Sequence, residues 1–439
     1  MIRPLLSFFS LILMVILADA ATAQELIPIP EFTDHPIKET IHPPGPPAWS
    51  EHLDLAALLV GLSLASWFAL VKRSRRGLYL LAVVSLAWLG FWREGCVCPI
   101  GAIQNVALAV CDPSYAIPAA VVALFALPLV FTLFFGRTFC AGVCPLGALQ
   151  ELVAVRPVKV PVWLEHALGL LAYVYLGAAV LFAAMSTVDE PIFVICRYDP
   201  FVAFFRLGGS TNMLIFGGCF LVVGLFVGRP YCRYFCPYGA LLGLLSKVSK
   251  WHVKIPPDQC VQCRLCEDVC PYGAIREPTV AQPPDQRRQG RRRLAMLILL
   301  LPVLVALGAW LGRGLKGPLS RLHPTVRLAD RVLLEETGQV ADTTDASDAF
   351  RKTGRSIEDL GREAIVQTER FGTAGGWLGA WVGLVIGAKL IHLSLRRRRT
   401  DYQPDRINCV SCGRCFWYCP NEQARLGLIA DSPASSSEP

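Results

Sequence analysis

Charge is what this sequence has little of. Only 17% of its 439 residues are Asp, Glu, Lys or Arg, while 54% are hydrophobic and the mean hydropathy is positive. A soluble domain carries about 25% charged residues, so the composition excludes an ordinary soluble protein and points to an integral membrane one. The net charge of +8 comes from short Lys/Arg clusters beside apolar segments, a topology signal before it is a nucleic-acid signal. Those clusters contain no interleaved aromatics, which leaves nucleic-acid binding without support. Haem has no evident ligand pair, since His166 and His392 lie in different apolar stretches. Cysteine, by contrast, is abundant. Twelve of the 17 sit in C-x2-C or C-x3-C-P spacings, which suit metal ligation better than a secreted disulfide scaffold.

The chain is organised around CVQCRLCEDVCP, with Cys260, Cys263, Cys266, Cys270 and Pro271. This C-x2-C-x2-C-x3-C-P run holds cubane iron–sulfur clusters in bacterial-type ferredoxins. Three cysteines on one tight loop reach three corners of a cube, and the fourth reaches a neighbouring cluster. A second run is then required, and CVSCGRCFWYCP supplies Cys409, Cys412, Cys415, Cys419 and Pro420. The expected ligand sets cross over: Cys260, Cys263, Cys266 with Cys419, and Cys409, Cys412, Cys415 with Cys270. Zinc or disulfides are the competing reading, disfavoured by the doubled spacing. In all, 138 residues (271–408) separate Cys270 from Cys409, and they contain two long apolar stretches.

Residues 1–23 read as a signal peptide, cleaved or kept as an anchor: Arg3, an apolar core from Leu5 to Ala18, then Ala21-Thr22-Ala23. Residues 24–50 are proline-rich and read as an exterior segment. Apolar stretches at 53–71, 77–92, 116–135, 166–185, 212–228, 294–311 and 374–393 approach the length that crosses about 30 Å of hydrocarbon as a helix. With the N-terminus outside, KRSRR (72–76), the loops 136–165 and 228–293, and the tail after RRRR (396–399) all face the cytoplasm, as the positive-inside rule asks. The expected fold is therefore an all-α polytopic membrane protein of about seven spans, carrying a cytoplasmic, bacterial-ferredoxin-like, two-cluster α+β module. Its expected parts are a five-helix membrane core at 51–250, the module's first half at 251–286, a helix pair at 287–400 enclosing an exterior helical segment 312–373, the module's second half at 401–430, and a disordered tail at 431–439. The bacterial cytoplasmic membrane is the expected location.

An internal repeat adds a second layer. GRTFCAGVCPLGALQEL (136–152) and GRPYCRYFCPYGALLGL (228–244) are near copies. Their four thiols, Cys140, Cys144, Cys232 and Cys236, suit an iron–sulfur cluster or zinc at the inner face. Arg137 and Arg229 either donate to cluster sulfur or obey the positive-inside rule, and the second reading is preferred. A degenerate copy, REGCVCPIGAIQNV (93–106), places Cys96 and Cys98 outside, where Cys111 and Cys196 also fall. Those four form either an outer-face metal site or disulfides, since that compartment is oxidising.

The residues at 136–152, 228–275 and 409–420 resemble the NosR/NirI family and its relatives such as NapH. That resemblance implies a polytopic membrane 4Fe-4S protein supplying electrons to exterior respiratory enzymes, with quinol or a reduced cytoplasmic carrier as donor. NosR proper begins with a large exterior flavin-binding domain. Here only about 27 residues occupy that position, and no Ser/Thr-Gly-Ala-Thr type flavin-attachment sequence is found.

These readings converge on membrane electron transfer. Two [4Fe-4S] clusters, with one or two more at the repeat and outer-face cysteines, would pass electrons between a cytoplasmic or quinol donor and an exterior redox protein. No catalytic residue is identified. A quinol-oxidising subunit is the enzymatic alternative, with Glu165, His166 and His252 as undistinguished polar candidates. The regulatory alternative is a redox sensor or maturation factor that docks a partner on 312–373.

Overall fold

The computed structural model describes residues 48–93, 99–185, 199–206, 208, 211–255, 260–279, 284–321, 323–340, 342–395 and 398–429. The expected signal peptide, nearly all of the proline-rich segment, Cys96, Cys98, Cys196 and the C-terminal tail lie outside the described residues. The chain is mostly helical and divides into two compact units: residues 309–379, and residues 48–308 with 380–439.

The larger unit starts with α1 (Ala48–Leu70) and α2 (Arg75–Ser85), the latter continued by a π-helical turn, Leu86–Trp92. Then follow α3 (Pro99–Cys111), α4 (Ala119–Phe135), α5 (Thr138–Gly142), α6 (Pro145–Val153), α7 (Val162–Leu168) and α8 (Leu171–Met185). After these come α9 (Pro200–Arg206), α10 (Thr211–Gly224), α11 (Pro230–Tyr234), α12 (Pro237–Ser246) and α13 (Leu265–Asp268). Among the described residues, four helical segments are long and apolar enough to cross a membrane: Trp49–Leu70, Val162–Met185, Arg287–Gly314 and Ile357–Ser394. The other three apolar stretches are shorter or interrupted. Residues 77–92 break into the π turn, α4 carries Pro128 in its interior, and α10 stops at Gly224. Pro128 cannot donate to the helix ladder, and its carbonyl accepts from the Thr132 hydroxyl at 2.7 Å.

One rule recurs at the short helices. Helices α3, α6 and α12 each begin at the proline of a Cys-Pro pair, and so does α20 (Pro420–Arg425). Proline suits the first helical turn because its φ is preset and its missing N–H has no intrahelical partner there. Cys144, Cys236 and Cys419 thus sit at the mouths of helices. The buried core around these helices includes Leu62, Phe201, Tyr238 and Leu242, and it continues into the ferredoxin half at Phe416.

That half is closed by a minimal sheet. Strand β1 (Ile275–Arg276) pairs antiparallel with β2 (Gln403–Pro404), Ile275 opposite Pro404. One strand comes from each side of the long separation, so the two runs meet. Arg264 Nε donates to the Tyr402 hydroxyl at 3.0 Å, and Arg276 pairs with Asp405 at 3.2 Å.

The separation itself is a helix pair, α14 (Pro284–Gly314) and α18 (Ile357–Ser394). Helix α14 takes in the basic run 287–293, which the sequence reading left in a loop. In the larger unit Gly383 and Gly387 of α18 face Leu304 and Leu301 of α14, where an added Cβ would collide. Close backbone approach through small residues is the usual packing of helices in lipid. Trp381 Nε1 also donates to the Tyr173 carbonyl at 2.8 Å, tying α18 to α8.

The smaller unit contains α15 (Lys316–Ser320), α16 (Pro324–Glu336), α17 (Asp345–Lys352) and the first turns of α18. Val332, Phe350 and Leu360 form its core, and Glu335 pairs with both Arg331 and Arg351 at 2.9 Å. The segment expected at 312–373 is helical where it is described. Residues 357–373 belong to α18, because charged, amphipathic turns continue the same helix that is apolar from 374 onward.

Candidate metal centres

Both ferredoxin runs adopt one backbone. Gln262 and Ser411, at matching positions, have φ of 52° and 55°. Arg264 and Gly413, two residues later in each, have φ of 64° and 79°. Left-handed backbone costs non-glycine residues roughly 1–2 kcal/mol apiece, and three of these four pay it. The return is a loop whose N–H groups turn inward, the concave arrangement that holds anions and iron–sulfur groups. The Ser411 and Arg414 amides accordingly donate to the sulfurs of Cys409 and Cys412.

The cysteines of the two runs fall into two groups. Cys260, Cys263, Cys266 and Cys419 line one cavity, together with Ile255 and Tyr402. Cys270 lies within electrostatic range of Cys409, Cys412 and Cys415. The two sets differ in exposure. Cys263 is exposed to solvent, whereas every cysteine of the second set is buried or half-buried. Burial pushes the thiols of Cys266 and Cys409 up to about 12. Such thiols stay protonated until metal displaces the proton, so loading these sites releases protons.

A third cavity lies in the membrane core. Cys140, Cys144, Cys232 and Cys236 line it with Phe201, Tyr238 and Asp199. Gln150 organises one side: its Nε2 donates to Cys232 Sγ at 3.2 Å, and its Oε1 accepts from the Tyr231 amide at 3.0 Å. Asp199 accepts from the Phe201 amide and the Tyr231 hydroxyl, at 2.9 and 3.2 Å.

The repeat arginines require a correction. Read as positive-inside residues, they should be exposed; Arg137 is 8% and Arg229 2% accessible. They brace the repeat reciprocally. Arg229, from the second copy, donates to the Cys140 carbonyl and sits where a Cβ on Gly147 would fall. Arg137, from the first copy, sits against the matching Gly239. Both also reach the ferredoxin half. Arg137 Nη1 donates to the Ile407 carbonyl at 2.9 Å, and Arg229 lies over the Tyr272 ring while its Nε pairs with Glu151 of the first copy at 3.2 Å.

Glu151 is the hub of this contact. It accepts from Arg414 at 2.7 Å and from the Tyr272 hydroxyl at 2.8 Å, and lies 3.7 Å from Arg75. One carboxylate thereby joins the membrane repeat to both ferredoxin runs. Burial alone would raise its pKa, but Arg229 and Arg414 overcome this and hold it at about 2. The KRSRR loop takes part as well. Arg73 pairs with buried Glu422 at 2.9 Å and lies over the Phe416 ring, and Arg76 lies over Trp417.

The remaining candidates are placed as follows. Cys111 is exposed at the end of α3; its three proposed outer-face partners are outside the described residues. Glu165 is engaged by Arg233 and by the Tyr234 hydroxyl, which gives it a structural duty instead of an open quinone-facing position. Burial, then Arg406 and Lys254, push His252 down to about 4, so it is neutral near pH 7. Sequence reasoning missed Glu151, Gln150 and Asp199. The only available signal was their position: Gln150 and Glu151 directly follow the Gly-Ala-Leu of the first repeat copy.

A profile described as a 4Fe-4S binding domain matches residues 117–170 and 210–256, and a second of the same description matches 253–276. The chain is similar to the NosR/NirI-like 4Fe-4S proteins. It is 37% identical to Protein NirI of Paracoccus denitrificans over 156 residues, which is 33% of this chain and 22% of NirI. It is 28% identical to Putative electron transport protein YccM of Escherichia coli over 187 residues, 39% of this chain and 52% of YccM. Regulatory protein NosR of Stutzerimonas stutzeri is 28% identical over 240 residues, half of this chain and 32% of NosR. The matched region thus spans about a fifth to a half of these relatives. No solved structure matches. The clusters that the 4Fe-4S domains indicate need four thiolates each, and the three cysteine sets provide that donor number. Among the described residues, no group of three or more His, Cys, Asp or Glu converges on a single-ion site. A cubane spreads its ligands over the corners of a group several ångströms across, so its cysteines line a cavity and do not meet at a point.

Proposed function

We propose that this chain is a membrane iron–sulfur protein that relays electrons between its ferredoxin half and the four-cysteine site of its membrane core. Cys260, Cys263, Cys266 and Cys419 would hold the entry cluster, which the exposure of Cys263 makes accessible to a donor. Cys409, Cys412, Cys415 and Cys270 would hold the second, and Cys140, Cys144, Cys232 and Cys236 the third. Bound there, the clusters supply one-electron carriers. The protein's own part is spacing, burial and hydrogen bonds to sulfur, which tune potential. In this reading the seven apolar stretches span the membrane, the ferredoxin half faces the cytoplasm, and electrons pass between a cytoplasmic or quinol donor and an exterior redox protein. Cys96, Cys98, Cys111 and Cys196 would serve as the outer station.

The observation that carries the proposal is the contact between the four-cysteine cavity and the second ferredoxin run through Arg137, Arg229 and Glu151. A membrane about 30 Å thick demands intermediate stations, and this contact sets two of them side by side. The names of YccM, an electron transport protein, and of the similar ferredoxin-type protein MauN point the same way. The test is iron and acid-labile sulfide per chain on anaerobically purified protein. Three four-iron sites give about 12 irons, and an outer site would bring the total to about 16. The doubly substituted Cys140→Ser, Cys236→Ser protein should hold about four fewer. An unchanged iron content would remove the membrane station and leave only a ferredoxin.

A further inference from the structure

The two repeat arginines are equivalent in sequence but not in their electrostatics. Arg229 has a carboxylate partner, Glu151. Arg137 has no ion-pair partner among the described residues, although it is 92% buried by the same measure that leaves it 8% accessible. Its Nη1 is spent on the Ile407 carbonyl, its Nη2 points at Cys140 Sγ from 3.9 Å, and its Nε has no hydrogen-bond partner. An unpaired buried guanidinium is costly, so a counter-charge is expected nearby. The groups near it are one phenol and several sulfurs: Cys140, Tyr173 and Cys236, with Cys232 and Cys409. Asp199, the one acid lining the same cavity, takes its hydrogen bonds from Tyr231 and the Phe201 amide.

We propose that Arg137, which has no carboxylate partner among the described residues, is the unmatched counter-cation of the thiolate-ligated group held by Cys140, Cys144, Cys232 and Cys236, and that it sets how readily this site accepts an electron. Thiolate ligation makes the site anionic, and each electron added deepens the negative charge. A fixed cation beside it therefore favours the reduced state, and burial leaves the interaction weakly screened. Arg229 also faces Cys232, but it shares the single charge of Glu151 with Arg414 and Arg75, so its field at the sulfurs is matched only in part. The asymmetry arises in the repeat itself. Where the first copy has Glu151, the second has Gly243, and the Ile407 carbonyl approaches Gly243 so closely that a Cβ would sit 3.2 Å from it. A neutral carbonyl thus stands where an acid would otherwise be. This inference rests on the proposed iron–sulfur reading of the four cysteines.

The experiment is a potentiometric titration of the intact purified protein with a soluble one-electron reductant and mediators, followed by electron paramagnetic resonance. The signal lost in Cys140→Ser, Cys236→Ser marks the membrane site. Arg137→Gln should shift that signal most, toward harder reduction, raising its oxidised-to-reduced ratio about tenfold at fixed potential, or about 59 mV for one electron, with a smaller shift in the same direction at the site of Cys409. Arg137→Lys, which keeps the charge, should restore at least half of the shift, and Arg229→Gln should move the ratio less than Arg137→Gln does. A second readout needs no cluster. In chelator-stripped protein Arg137→Gln should resist proteolysis at least as well as the parent, because the unpaired charge is gone; a mere structural strut would weaken both forms. No shift in Arg137→Gln, or equal shifts in Lys and Gln variants, overturns the inference while leaving the relay intact. A parent protein with no membrane-site signal overturns both.

Discussion

Glu151→Ala is expected to destabilise the protein by about 3 to 5 kcal/mol, the usual result of removing one partner from a buried ion pair. The loss is large because Glu151 matches Arg229, which is 2% accessible, and Arg414, while also accepting from Tyr272. Alanine leaves a buried guanidinium unpaired and detaches both ferredoxin runs from the repeat at once. Denaturation of the detergent-solubilised protein, and protease cleavage between the membrane core and residues 401–429, are the measurements. A variant as stable as the parent would mean that Glu151 is not the hub. The pH dependence has a definite sign. Glu151 is depressed in the folded protein, from 4.5 to about 2. Its contribution is therefore complete above about pH 4.5 and is lost as the pH falls through that window toward 2. At 1.36 kcal/mol per unit this is roughly 3 kcal/mol, close to the mutational figure. Acid lability of the cysteine sites is common to parent and Glu151→Gln, so the stability difference between them isolates the carboxylate. That difference should shrink toward zero between pH 4.5 and 2.

Cys419→Ser should empty the other run's site, not its own. The crossed arrangement puts Cys419 in the cavity of Cys260, Cys263 and Cys266. Iron should fall by about four per chain. In an alkylation experiment read by mass spectrometry, Cys260, Cys263 and Cys266 should become reactive while Cys409, Cys412 and Cys415 stay protected. Cys270→Ser should give the mirror result. Labelling confined to the run that carries the substitution would replace crossed ligation with four-cysteine sites built within each run. The effect is large because three thiolates cannot complete the four-coordinate set of a cubane. The emptied cavity also adjoins the β1–β2 pairing that joins the two halves.

Much of this site could be read before any coordinates. Ligand spacing is covalent, so the two runs and the two C-x3-C-P copies announce their chemistry wherever they fold. Most Cys-Pro pairs likewise foretell a helix start, because proline is favoured in the first turn. Apolar length marked the helices of 48–70 and 162–185, and the pair 287–314 and 357–394 that interrupts the ferredoxin half. Less visible were β1 and β2, two residues each, too short for any periodicity to register. Helix α18 reaches back to Ile357 because amphipathic turns and apolar ones can share one helix, and hydropathy sees only the second kind.

The sequence by itself determined which atoms are available for iron, since cysteine identity and spacing are local and survive any arrangement of the rest. Only the tertiary structure decided how those atoms are surrounded. It buried Arg137 and Arg229 where basic residues were expected at a surface, gave one of them Glu151 and left the other facing sulfur. It also brought residue 151 to residues 229, 272 and 414. Burial and ion pairing are properties of neighbours distant in the chain, and one charged letter reads the same in solvent as in a core. Electrostatics around a metal site is therefore a product of packing, whereas the choice of ligands is written in the chain.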